Sequence, residues 1–536
     1  MSQPHLSTES ADAVTTAPPA ALDRRRFVVG MGAVAGVLAT SRLPKAWAGG
    51  SHEVGNPFAL GVASGDPLPD AVVLWTRLAP EPLAGGGMPA RDVPVEWQVA
   101  EDDGFRRVVR HGTATARPRW AHSVHVDAGG LRPGRWYWYR FKAGSDLSTV
   151  GRTRTAPAPG ADVDRLRFAF ASCQQYEHGY FTAYRHMAGE DLDLVVHLGD
   201  YIYEYGRDEY EAPGGNVRHH SEEEITSLAD YRNRHAQYRS DSDLQAAHAA
   251  FPWVVTWDDH EIDNNWADEV PEADQPVRPF LRRRARGMQA YWEHMPLRRA
   301  AQPEGVDMRM YRRFDYGRLA RLNVLDTRQY RSDQPCGDEF PGDCTGRFRP
   351  SRTITGARQE RWLYRGLDRS PARWNVLAQQ VFLAQIHLWL DGEDGYYVDG
   401  WDGYVASRDR LLEFIRRRRP SNPVVLTGDW HANWAADLKA DFDDPDSATL
   451  GSELVGTSIT SGGDGSPSAA YGETVLKRNP HIGYFNNQRG YVRCDLDRRR
   501  WRSDFRVVPY VRRRGAPVRT AASFTIDDGR PGAVPR

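Results

Sequence analysis

Four places in this 536-residue chain bring oxygen, nitrogen and sulfur donors to the end of a continuous apolar run. Phe168–Ala171 runs into Ser172-Cys173, and Leu194–Leu198 into Gly199-Asp200-Tyr201-Ile202-Tyr203. Val254–Trp257 ends in Asp258-Asp259-His260-Glu261, with Asn264-Asn265 just beyond, and Val424–Thr427 ends in Gly428-Asp429-Trp430-His431. Apolar runs without alternation read as strands buried on both faces, and open α/β sheets bind ligands outside the carboxyl ends of such strands. Glycine ahead of Asp200 and of Asp429 permits a tight turn that aims the next side chain into that space. One such strand end is common. Four of them, carrying Asp, His, Asn, Tyr and Cys, point to a polynuclear metal site.

The residue types are chemically coherent. A carboxylate such as Asp200 can bridge two cations. Tyrosine ligates as phenolate only beside a strong Lewis acid, and a Tyr203 phenolate with a Cys173 thiolate favours ferric iron. Asp, Asn and carbonyl oxygens instead suit hard divalent cations such as calcium, magnesium or manganese. His431 is a further candidate ligand. Neighbours on an extended strand diverge, so a metal-facing Asp259 turns His260 away. Each residue also has a plainer use. Cys173 can be a small buried residue, Asp259 and Asp429 can cap helices, Asn265 can turn the chain, and His431 can be a core histidine. Arg328 is a planar donor for phosphate oxygens or, equally, half of a structural ion pair. His235 reads as packing. The arginine runs 282–284 and 416–419 read as solvated helix faces.

Those strand ends need elements to hold them. Beyond residue 166 apolar runs alternate with helical patterns, the grammar of a layered α/β domain extending to about 525, with 526–536 read as a disordered tail. Residues 53–155 instead alternate apolar and polar in short runs, as in Val95-Glu96-Trp97-Gln98-Val99, which reads as an antiparallel β-sandwich. Leu131-Arg132-Pro133-Gly134-Arg135-Trp136-Tyr137 resembles the turn and tyrosine strand of fibronectin type III domains. A Pro-rich linker, 156–165, separates the two. Residues 1–48 read as an address: a polar start, Arg24-Arg25-Arg26-Phe27, an uncharged stretch, then Ala46-Trp47-Ala48. The adjacent arginines resemble a twin-arginine export signal, which makes the export machinery a partner and the protein secreted, cell-wall or periplasmic. In an oxidising compartment Cys336 and Cys344 can close a small disulfide; a Cys173–Cys494 bridge is the plain alternative for the other pair.

Composition excludes other classes. The 70 Lys+Arg balance 71 Asp+Glu, against the basic excess of a nucleic-acid binder. Mean hydropathy is −0.64, and no apolar run is long enough for a polytopic membrane protein. Cleavage after Ala48 takes the net charge from −1 to −3, so the mature chain is mildly acidic.

The motifs together resemble the calcineurin-like metallophosphoesterases and, more closely, the alkaline phosphatase PhoD family. The resemblance is carried by Ser172-Cys173-Gln174, His197 through Tyr203, Trp257 through Glu261, Leu325 through Tyr330, Thr427 through His431 and Gly456 through Gly463. It implies two packed sheets flanked by helices after a sandwich domain, and hydrolysis of phosphate mono- or diesters by in-line attack of metal-bound hydroxide. It implies ferric iron with calcium, Asp200 bridging, Tyr203 and Cys173 on iron, and His431 as the last metal-binding histidine. Asp259 stands where the superfamily usually has Asn, and Asn265 would supply the missing amide to calcium. Asp429 replaces a superfamily histidine. The resemblance gives His260 the task of stabilising phosphoryl charge or protonating the leaving oxygen. Two rivals remain: a phospholipase D-type diesterase acting on phospholipids, and a secreted binding protein on an inactive catalytic scaffold.

Overall fold

The continuous apolar runs become inner strands of two sheets packed face to face. A computed structural model describes residues 55–272, 275–337, 344–390 and 393–536. Strands Arg165–Ala171, Leu194–His197 and Pro252–Val255 lie parallel and adjacent in a ten-stranded sheet. Strands Ala320–Val324, Trp374–Ala378, Pro423–Thr427 and Thr449–Val455 are parallel neighbours in a seven-stranded sheet. Between the sheets Phe168, Phe170, Val196 and Val254 share one apolar layer with Leu322, Val376, Leu426 and Leu454. The alternate residues face outward. Ala169, Val195 and Trp253 pack with Tyr184, Leu244 and Met288 of the helices covering the first sheet. Leu377 and Val425 pack with Leu363, Leu411 and Ile415 over the second. Each large side chain so buried contributes on the order of 1.5–3 kcal/mol, so the strand ends are held apart at fixed separations by a stiff core. The result is helix–sheet–sheet–helix, the α/β core expected from the sequence.

Residues 53–155 were expected to form a sandwich of their own. They do form two sheets around Val72, Leu74, Val95, Val99, Tyr139 and Phe141. The Arg132 N–H donates to Tyr137 Oη at 2.9 Å, the contact behind the Leu-x-Pro-Gly turn. The sandwich is not a pair of sheets apart from the catalytic layer, however, and that expectation is corrected. Val62–Gly65, Ala71–Arg77 and Ser123–Gly129 extend the ten-stranded sheet, Val62–Gly65 pairing in parallel with Pro252–Val255. Val62–Gly65 is buried throughout, so it behaves as an inner strand of the catalytic layer.

The tail is a second correction. Arg519–Asp527 and Arg530–Pro535 form an antiparallel hairpin that ends the same sheet. Asp528-Gly529 is a two-residue hairpin turn that the Gly/Pro-rich composition disguised. The Gly532 and Ala533 N–H groups donate to Ser452 Oγ at 3.2 Å and Asp437 Oδ1 at 3.1 Å, fastening the hairpin to the other sheet. Third, Arg283 and Arg284 are buried rather than solvated: Arg283 Nη1 donates to Asp263 Oδ1 at 2.8 Å and Arg284 Nη1 to the Asp268 carbonyl at 2.7 Å. Arg282 and Arg416–Arg419 are exposed, as expected of a solvated face. His235 is buried and stacks on His294 at 4.8 Å. Cys336 and Cys344 are joined by a disulfide, their Cα atoms 6.0 Å apart, while Cys173 and Cys494 are free and buried. No helix among the described residues is long and apolar enough to cross a membrane. The twin-arginine and cleavage motifs lie outside the described residues.

Candidate metal centre

All four strand ends converge at one edge of the sandwich, where both sheets present their carboxyl ends. Two glycines make the convergence possible. A Cβ on Gly199, whose φ is +111°, would collide with Asp258. One on Gly428 would come within 2.8 Å of Ser172, so the second glycine serves close approach rather than an unusual φ. The donors themselves sit on strained backbone: Cys173 (φ 58°), Asp200 (53°), Asn265 (51°), Asp429 (56°) and His431 (56°) are all left-handed. Such residues cost of order 1–3 kcal/mol each and persist where surrounding structure over-determines them.

Three overlapping clusters of donor atoms result, each with all its atoms within 4.8 Å: Cys173–Asp200–His431, Asp200–Asp259–His260 and Asp258–Asp259–Asp429. Asp200 is shared by the first two and Asp259 by the last two. Tyr203 Oη joins the first cluster, donating to Asp200 Oδ2 at 2.9 Å and standing 3.1 Å from His431 Nε2, while Ser461 Oγ donates to it at 2.8 Å. Asn265 reaches the second through its main chain, its N–H donating to Asp259 Oδ2 at 2.8 Å. The expectation that His260 diverges from Asp259 is therefore corrected. Asp258 to His260 lie in a turn beyond strand Pro252–Val255, where period-two alternation no longer applies.

Arg328 is corrected as well. Its side chain has no exposed surface; Nε donates to Asp258 Oδ1 at 2.5 Å and Nη1 to Asp399 Oδ1 at 2.8 Å, with Nη2 at 3.5 Å from Asp259. It is a buried counter-charge to carboxylates, not an open grip for phosphate.

The buried electrostatics favour cations. Asp200 Oδ1, Asp258 Oδ2 and Asp259 Oδ1 are buried without any hydrogen-bond donor. Burial, reinforced by Asp259 and Asp258, pushes Asp200 far above the usual carboxylate range although His260 opposes it. Burial and the charges of Asp258 and Asp399 do the same to Asp429, and burial takes Asp258 up to about 7 despite Arg328. Against burial, Arg328 and His260 hold Asp259 below its normal range. Burial and then Asp200 push the Cys173 thiol and the Tyr203 phenol far up. A donor set so reluctant to ionise alone, with orphan oxygens facing one another, fits bound metal ions. His431 is kept neutral chiefly by burial, the form in which imidazole ligates.

Several partners were not singled out in the sequence. Glu204 Oε2 lies 2.8 Å from His260 Nδ1 and its Oε1 accepts from the Asn264 N–H at 2.7 Å. Glu261 accepts from three backbone N–H groups, Asp258 at 2.8 Å, Tyr201 at 2.6 Å and Asp200 at 3.2 Å, binding two donor loops together. Glu261→Ala should lower the free energy of unfolding by about 3 kcal/mol or more, since three buried donors lose their acceptor at about 1–3 kcal/mol each; denaturant titration checks this. A motif signal existed for Glu261, inside Asp-Asp-His-Glu, and for Glu204, which follows Tyr203. Asp399, on a loop after no apolar run, carried none.

Comparison with known proteins finds matches over most of the chain. Residues 168–505 match the model of the PhoD-like phosphatase family, and residues 44–157 match that of its N-terminal domain. The chain is 55% identical over 517 residues to alkaline phosphatase D of Bacillus subtilis (strain 168), covering 95% of this chain and 88% of that protein. It superposes on a solved structure of PhoD with a TM-score of 0.89 and 56% identity, covering 91% of this chain and 93% of that one.

Proposed function

The chain belongs to the PhoD-like phosphatase family, and from that premise we propose how its residues divide the work of hydrolysis. It is a metal-dependent phosphoric ester hydrolase of the PhoD type acting on phosphate esters. Cys173, Asp200, Tyr203 and His431 would hold ferric iron, and Asp200, Asp259, Asn265, Asp258 and Asp429 would hold calcium. The observation that carries the assignment is Asp200, shared between a sulfur- and imidazole-bearing cluster and an oxygen-rich one. Bound there, the cations supply Lewis acidity that activates water and neutralises phosphate oxygens.

The chain's own groups do the rest. Glu204 Oε2 accepts a hydrogen bond from the His260 Nδ1–H, which fixes the ring and leaves Nε2 to hold a proton for the leaving oxygen. Burial alone would lower the His260 pKa, but Glu204, Asp259 and Asp200 outweigh it and hold it well above the usual range. Tyr203 stacks on the same ring at 4.2 Å and limits its rotation. Arg328 lies against Asp258, Asp259 and Asp399, and its charge helps hold Asp259 in the carboxylate form. Residues 24–48 support export by the twin-arginine route to a secreted or cell-wall location.

Metal analysis tests the assignment. The purified protein should contain iron and calcium, and the oxidised form should show a visible phenolate-to-iron band. Tyr203→Phe should abolish that band. A colourless, zinc-only protein sinks it.

A further inference from the structure

The metal centre meets solvent along the edge bearing His260 and Asp429. Exposure rises from 1% for Asp200 and 3% for the Asp259 side chain to 10% for that of His260 and 14% for that of Asp429. Aromatic pairs stand beside each of the two exposed groups. Tyr205 lies 5.3 Å from the His260 ring and 5.5 Å from Tyr210, which in turn is 6.4 Å from Tyr203. On the other side, Trp430 separates Asp429 from His431 in sequence and meets Tyr397 edge to face at 5.4 Å. Tyr397 is also within electrostatic reach of Asp399 and Asp429. All four rings are half-buried. Phe382, 5.4 Å from Trp430 at an interplanar angle of 73°, buttresses that indole from beneath.

We propose that Tyr205, Tyr210, Tyr397 and Trp430 form the leaving-group subsite, and that it takes an ester whose alcohol is an aryl or heteroaryl ring. The inference rests on the phosphoesterase reading and names the substrate class it leaves open. The phosphoryl group is drawn to the carboxylate-lined floor and its cations, so the alcohol must occupy the exposed edge. There it meets fixed π faces. Stacked or edge-on rings gain about 0.5–1.5 kcal/mol per pair beyond the area they bury. An aliphatic alcohol can bury area there but lacks the ring–ring contribution.

The test uses the full-length, metal-loaded enzyme with phenyl phosphate and hexafluoroisopropyl phosphate, whose leaving alcohols are of comparable acidity. Trp430→Ala should lower kcat/KM for the phenyl ester about tenfold more than for the fluoroalkyl ester, the equivalent of about 1.4 kcal/mol. The inhibition constant of inorganic phosphate should stay within about twofold, because uniform losses belong to the floor, not the rim. Tyr397→Ala, on a separate chain segment, should shift the same ratio about threefold, and it decides the matter alone if Trp430→Ala sheds metal. Equal losses on both esters with metal retained overturn the subsite. Failure of the metal-loaded wild type to hydrolyse either ester overturns the phosphoesterase reading itself.

Discussion

Asp200→Asn should leave a folded protein that has lost most of its metal and at least about a thousandfold of its phosphate-ester hydrolysis. The magnitude follows from what is removed. A cation polarising a phosphoryl oxygen supplies several kcal/mol, and each 1.4 kcal/mol is tenfold in rate. Asp200 belongs to two donor clusters at once, so its charge is missed by both. Asparagine is the informative replacement because it tolerates the left-handed backbone at φ 53° and can still accept from Tyr203 Oη. The fold should survive for an electrostatic reason. In the metal-free state burial and neighbouring carboxylates penalise an ionised Asp200, so losing its charge relieves the apoprotein. Metal addition should therefore raise the melting temperature of the wild type clearly and that of Asp200→Asn little, since only a bound ligand stabilises the native state. Atomic absorption and a melting scan with and without metal check both halves. Full metal content with lost activity would remove Asp200 from the ligand set.

How far the sequence reached depends on which physical signal each residue carried. Strand ends were legible because buried parallel strands lose their alternation, and a polar cluster ending such a run has few structural uses. That argument located Cys173, Asp200, Tyr203, Asp259, Asp429 and His431, and the structure brings them together at one edge. It failed where it borrowed strand geometry for a turn: Asp258, Asp259 and His260 are consecutive yet converge. Arg328 could not be placed from sequence because a phosphate clamp and a buried ion pair use the same side chain. Only its lack of exposure and its Asp258 and Asp399 partners separate them. The independence of the sandwich was misread for a related reason. Period-two patterning reports a half-buried strand but not which sheet it joins, and Val62–Gly65 crosses into the catalytic sheet by pairing, not by composition. Buried Arg283 and Arg284 show the same limit, since a charge run reads as solvated until its carboxylate and carbonyl partners are seen.

His260→Gln should cost about 10²–10⁴ in kcat, the usual range for one positioned proton donor, while retaining the metal. Two roles compete for this side chain. It lies in a cluster with Asp200 and Asp259 at ligand distances, yet its Nδ1 is taken by Glu204 at 2.8 Å, which leaves one nitrogen for either task. Metal content separates them, because a ligand's loss empties the site and a proton donor's does not. The leaving group separates them again. Protonation matters most when the departing alkoxide is basic, so the loss should be large on an alkyl ester and shrink on a nitrophenyl ester, whose oxygen leaves unaided. A ligand's loss would fall on both alike. Glu204→Gln provides the graded control. It keeps the shape of the contact but removes the charge that raises the His260 pKa, so activity should fall about 10- to 100-fold, as for other partners that orient an active-site histidine. The sign of its pH effect is fixed. With Glu204 neutral, His260 gives up its proton at lower pH, so the alkaline limb of the alkyl-ester rate profile should move to lower pH, and a limb that stays in place would take proton donation away from His260.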